Sequence, residues 1–130
     1  MPDKKHIAID VEVKGLNKNA LHGFHVHEYG DLSDGCNSMC AHLNPYNETH
    51  GGPETIPRHV GDLGNLFTKN GKTKGYFIDK KISLSGKNNI IGRSIIVHDL
   101  KDDLGKGGDE ESLKTGNAGA RLNCSKIIEF

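Results

Sequence analysis

The sequence predicts an all-β domain, an antiparallel sandwich or barrel with two long functional loops. Three observations carry that prediction. Short runs with an apolar residue at every second position recur along the chain. Turn-forming residues separate them, and 17 of the 130 residues are Gly, well above an average share of roughly 7%. No segment shows the spacing of a long helix.

The elements follow in order. Ile7, Ile9, Val11 and Val13 alternate with Ala8, Asp10, Glu12 and Lys14, a half-buried strand. Gly15 to Asn19 reads as a turn. Ala20 to Glu28 is a second strand, with Phe24 and Val26 on one face and His25 and His27 on the other, because side chains two apart share a face. Residues 29–59 have no period and read as a long loop, which in a compact domain is usually functional. Gly61 to Thr68 is strand-like. Asn70-Gly71 is a two-residue hairpin signal, so Thr73 to Asp79 is expected to return antiparallel. Ile82 to Ser85 reads as short and extended, and Ile90 to His98 as a β-branched strand. Residues 99–119 form a second polar, Gly-rich loop, and Ala120 to Ile128 the last strand.

Composition narrows the function classes. The length suits one domain, residues 1–130. Seventeen basic and 17 acidic side chains cancel, so no nucleic-acid or membrane affinity is expected. No apolar run approaches the ~20 residues that span a bilayer. The first residues lack the continuous apolar stretch of a secretory signal. A soluble, cytoplasmic protein is expected. Apolar content is 34% without Trp, so the core must come from Ile, Leu, Val and four Phe.

The histidines carry the chemistry. His25, His27 and His98 fall on apolar, strand-like segments, while His42, His50, His59 and Asp62 fall in a long run rich in Gly, Pro, Asn and Ser. Imidazole suits zinc and copper, and a carboxylate can complete a zinc shell. Two clusters on two kinds of backbone predict two metals of different duty. His6 and His22 fall outside them, and a structural hydrogen bond is expected for His22. Three cysteines are present. Cys36 and Cys40 could be half a zinc site, or Cys36 could pair with Cys124, leaving one thiol free.

With these residues in view, the chain resembles the copper/zinc superoxide dismutase family. The matching stretches are Gly23-Phe24-His25-Val26-His27-Glu28, His50-Gly51-Gly52-Pro53, Arg58-His59-Val60-Gly61-Asp62-Leu63-Gly64-Asn65, Ile90-Ile91-Gly92-Arg93 and Val97-His98. The longest runs from Asp102-Asp103-Leu104-Gly105-Lys106-Gly107-Gly108 through Glu110-Glu111-Ser112 to Lys114-Thr115-Gly116-Asn117-Ala118-Gly119, and Arg121-Leu122-Asn123-Cys124 closes it. The resemblance implies a Greek-key sandwich that dismutates superoxide to O₂ and H₂O₂.

It also implies roles. His25, His27, His42 and His98 match copper ligands; His42, His50, His59 and Asp62 match zinc ligands, with His42 shared. Asp102 matches a carboxylate that links one histidine of each set. Arg121 matches the arginine beside copper, with His42 as its catalytic companion. Glu110, Glu111, Lys114 and Thr115 match a loop that guides the anion electrostatically, although the acidic run could be only a solvated face. Cys36 and Cys124 match a disulfide, which leaves Cys40 as a free thiol or as a partner in exchange with Cys36. Ile91-Gly92 matches a segment at a two-fold contact, so a homodimer is expected, as is a copper-delivery chaperone. Two departures stand out. The family has two further strands before Ile7, so an N-terminally shortened sandwich with exposed sheet edges is expected. Cys40 stands where the family has another residue. A low-turnover protein that sequesters copper and zinc is the rival reading.

Overall fold

The computed structural model describes residues 6–16 and 19–129. Its strands are β1 (Ile7–Val13), β2 (Asn19–His27), β3 (Ser33–Cys36), β4 (Asp62–Lys69), β5 (Thr73–Asp79), β6 (Ser94–His98) and β7 (Arg121–Lys126). β1 pairs with β5 in one antiparallel sheet. The other, also antiparallel, has the order β4-β2-β6-β7. The two sheets enclose a core that includes Val11, Phe24, Val26, Leu66, Ile82 and Val97. The expected all-β sandwich is therefore present. Met1 to Lys5, the Asn17-Lys18 part of the predicted turn, Phe130 and the Phe77 side chain lie outside the described residues.

Alternation explains the best-placed strands. In β2, Phe24 and Val26 enter the core while His25 and His27 face away from it, and all four are buried. Loops cover the histidine face, which an exposed sheet surface would leave wet. In β4, Leu66 and Thr68 are buried and Phe67 is 60% exposed. Phe67 is thus not the core residue expected of it, because it sits on the outward parity of its strand.

Several elements differ from expectation. Asn70 and Gly71 have φ of 56° and 79° and form the tight turn, closed by mutual backbone bonds between Lys69 and Lys72. The hairpin goes no further. Past this turn β4 stays with β2 and β5 crosses to β1, so one turn joins the two sheets. β6 begins at Ser94 rather than Ile90, because Gly92 takes φ 86° and the Arg93 N–H donates to Ile90 O at 3.1 Å, a turn. Ile82 to Ser85 holds one isolated bridge, Ser83 with Asn89, in place of a strand. There the Asp79 carboxylate accepts the N–H groups of Lys81 and Ile82. The first long loop carries β3 and a 3₁₀ turn at Asn37–Met39. The last strand is shorter than Ala120 to Ile128 by one residue at its start and two at its end.

Candidate metal centre

β2 and β6 bring His25, His27 and His98 together, and register shifts fall at Gly23/His25 and at Val97/His98. Such bulges re-aim side chains next to functional sites. His42 joins them from the loop through an isolated bridge between His27 and His42. Two groups of four result: His25, His27, His42 and His98, and His42, His50, His59 and Asp62. His42 is common to both, as expected, and each group's candidate donor atoms lie within 4.8 Å of one another.

Hydrogen bonds to the outer nitrogens fix the tautomers. His27 Nδ1–H donates to Cys40 O at 2.8 Å and His98 Nδ1–H to Gly119 O at 3.1 Å. Carbonyls only accept, so each inner Nε2 of a neutral ring is bare. Those two nitrogens face each other at 3.4 Å. His25 Nε2–H donates to Asp102 Oδ2 at 2.6 Å and His50 Nε2–H to Asp102 Oδ1 at 2.7 Å. His25 Nδ1 is then buried without a hydrogen-bond partner. Bare nitrogens pointed at each other, or at nothing, are costly unless a cation takes their lone pairs.

The second group fits a metal by distance as well. Asp62 Oδ1 lies 3.0 Å from His42 Nδ1, 3.0 Å from His50 Nδ1 and 3.2 Å from His59 Nδ1. His42 Nδ1 and His59 Nδ1 are 3.2 Å apart. Four donors at ~2.0–2.1 Å from a tetrahedral zinc stand about 3.3 Å apart. The donor set and its spacing therefore fit zinc, and the all-imidazole group fits copper.

Electrostatics agree. Burial pushes the His25 and His27 imidazoles down, His42 to about 3 and His98 to about 4, so all four stay neutral. Burial alone would raise Asp62, but hydrogen bonds from His42, His50 and His59 hold it far below the carboxylate range. Asp102 is likewise held at about 2, against burial, by His25 and His50. Burial opposes protonation of His50, yet contact with Asp102 and Asp62 raises it to about 9.

Supporting residues that sequence reasoning missed lie around Asp102. The Asn65 side chain accepts the Asp102 N–H at 2.7 Å and donates to Asp102 O at 2.9 Å. Asp103 accepts from Ser112 Oγ and Asn117 Nδ2 and so ties the second loop to itself. Both lie inside the matched stretches, but nothing in their spacing marks the role. Gly116 has φ 76°, and a Cβ there would collide with Asp102 and His50. His22 Nδ1–H donates to His98 O at 2.7 Å, the structural bond expected.

A cavity of about 910 Å³ opens onto this centre. His27, His42, His59 and His98 form its floor, and Arg121, Lys114, Thr115 and Glu111 its walls; Glu110 does not line it. Arg121 is fixed by Nη1–H to Cys36 O at 2.8 Å and Nη2–H to Cys40 O at 2.5 Å. Cys36 and Cys124 are disulfide-bonded and Cys40 is a free, exposed thiol.

The family model described as copper/zinc superoxide dismutase (SODC) matches residues 1–127. The chain belongs to the copper/zinc superoxide dismutase family. It is 58% identical over 126 residues to superoxide dismutase [Cu-Zn] of Paramecium bursaria Chlorella virus 1, covering 96% of this chain and 67% of that one. Superoxide dismutase [Cu-Zn] A of Xenopus laevis is 50% identical over 125 residues, 96% of this chain and 82% of its own. A crystal structure of the clock protein EA4 superposes with a TM-score of 0.89 at 44% identity, covering 93% of this chain and 77% of that chain.

Proposed function

We propose that this chain catalyses superoxide dismutation, in which two superoxide anions and two protons give O₂ and H₂O₂. His25, His27, His42 and His98 would hold copper, and His42, His50, His59 and Asp62 zinc. When bound, copper supplies the one-electron chemistry and zinc a fixed charge without redox chemistry of its own. One observation carries the reading: a single cavity joins Arg121 to His27, His42 and His98, three of the four copper-group histidines, and of the other group's own residues only His59 lines it. Arg121, a permanent cation, draws in the small anion and donates hydrogen bonds to it. Lys114 extends the positive field toward the mouth, and Glu111 accepts from the Thr115 hydroxyl at 2.6 Å, which fixes that wall. Asp102 keeps His25 and His50 in their donor tautomers. His42, with Nδ1 fixed beside Asp62, is placed to hold a proton at Nε2 and pass it to the reduced oxygen. The chain loaded with copper and zinc should yield one O₂ and one H₂O₂ for every two superoxide anions consumed. Stoichiometric consumption that stops after one turnover per copper would refute catalysis and favour sequestration.

The surface supports a homodimer. Tyr29, Leu32 and Ile128 are exposed, and Gly30 sits so close to Gly92 and Lys126 that these segments form one patch. It would bury itself in a homodimer through Ile91-Gly92. His25 is fully buried behind the cavity floor, which favours copper placed by a delivery chaperone over copper gathered from solution. The free thiol of Cys40 suits a reducing, cytoplasmic setting.

A further inference from the structure

A cleft of about 270 Å³ lies between the first long loop and the connection from β5 to β6, and it shares no lining residue with the cavity over the metal centre. Tyr46 lines it from the loop, and Lys80, Lys81, Ser83, Ser85 and Lys87 line it from the connection. No carboxylate does. Asp79, next to Lys80, is already held by Arg58 at 2.8 Å and accepts the N–H groups of Lys81 and Ile82. Among the described residues none of the three lysines has an ion-pair partner. Like charges gathered around one hollow repel, and a bound anion offsets that repulsion.

The frame of the cleft is fixed. Asn88 Nδ2–H donates to Lys81 O at 2.9 Å, the Ser83 N–H to Asn88 O at 3.0 Å and the Ile90 N–H to Ser83 O at 3.0 Å, so the connection closes on itself. Lys87 Nζ stands 4.5 Å from the centre of the Tyr46 ring, a cation–π contact that ties the connection to the loop. Tyr46 lies midway in sequence between His42 and His50. Ser83 Oγ accepts the Ser85 N–H at 3.3 Å, and among the described residues neither serine hydroxyl donates to an acceptor. Asn88 Oδ1 is buried and so withdrawn from a ligand.

We propose that this cleft binds a phosphate group, free or as an ester, with Lys80, Lys81 and Lys87 supplying charge and Ser83 and Ser85 supplying hydroxyl hydrogen bonds. Ammonium and hydroxyl donors ask for an oxyanion. Three positive charges favour one that carries more than a single negative charge. Lysines bind phosphate as point charges, whereas a planar carboxylate is best met by a guanidinium, and no Arg lines the cleft. Its volume falls below the about 300–1,000 Å³ of most ligand pockets, so the ligand is compact. Bound there, the phosphate joins the connection to the loop that carries His42 and His50, and steadies that loop.

The test titrates inorganic phosphate, pyrophosphate and glycerol phosphate into the reduced, copper- and zinc-loaded chain at constant ionic strength, followed by amide shifts in NMR. Arg121 offers anions a site of its own, so binding is mapped by residue. Phosphate should shift the amides of residues 80–88 and 46–47 saturably at millimolar concentration, and pyrophosphate at several-fold lower concentration. Chloride should not. Glycerol phosphate binding more tightly than inorganic phosphate supports an ester as the occupant, and the reverse order the free ion. Lys87→Gln should weaken binding several-fold, while Lys87→Arg, which keeps the charge and the ring contact, should retain it. Tyr46→Leu leaves every charge in place and should still weaken it. Bound phosphate should also slow amide exchange over residues 46–49. Shifts confined to the surroundings of Arg121, an equal response to chloride, or Lys87→Gln that binds as the parent does would overturn the proposal. Exchange over residues 46–49 that phosphate leaves unchanged would overturn the link to the loop.

Discussion

Asp102 does not line the cavity over the metal centre and yet holds one histidine of each group. Asp102→Ala should weaken both metals about 10–100-fold, the usual cost of losing an orienting partner, measured by competition with chelators. Loss of one metal with the other unaffected would show that its two hydrogen bonds are not equivalent. Cys40 offers a different kind of test. Its φ of 66° and ψ of −145° belong to a region that Gly enters freely and other residues do not. Cys40→Gly should therefore raise the stability of the protein by about 1 kcal/mol in urea melts, while the carbonyl that receives His27 and Arg121 is kept. The candidate metal donors were legible residue by residue, all but His42 within the matched stretches, and the structure gathers them into two groups. The strain at Cys40 was not, since nothing in its neighbours announces a left-handed backbone.

Strands with strict alternation, β1 and β2, were legible almost to their ends. Pairing was not. Asn70-Gly71 announced a turn correctly, but a turn constrains only its own residues, and which sheet β5 joins is decided by the distant partners of Ile7 to Val13. β3 also escaped notice, because Ser33 to Cys36 has no apolar alternation and is tied by the disulfide to β7. That bond closes a loop with a sequence separation of 88. Its reduction should cost about 4–5 kcal/mol in the chain-entropy account, seen as a fall in the urea midpoint of the metal-free chain. It should also free the carbonyl of Cys36 to move, and with it Arg121.

Metal binding and folding are one problem for the molecule as a whole, because the histidines that stay neutral when buried are charged more readily when unfolded. His42 and His98 titrate near 3 and 4 in the folded chain against 6.5 unfolded, and His27 lower still. Between those values the unfolded chain binds more protons, so the metal-free protein should lose stability as pH falls from 6.5 toward 4. His50 acts in the other window. Raised to about 9, its contribution is complete below 6.5 and lost as pH rises through 9. Urea midpoints of the metal-free chain should therefore peak near pH 6.5, and a midpoint that keeps rising from pH 6.5 to 9 would contradict the role given to His50.

The central claim is that Arg121 and the cavity deliver superoxide to a copper held by His25, His27, His42 and His98. The most direct test is the second-order rate of superoxide decay per bound copper as salt is raised, for the loaded parent and for Arg121→Ala at equal metal content. The parent should be fastest at low salt and slow steadily as screening grows, with the variant at least about tenfold slower at low salt and the gap narrowing at high salt. A parent that decays superoxide no faster than its metal-free form, or a variant that matches it at low ionic strength, would contradict the account.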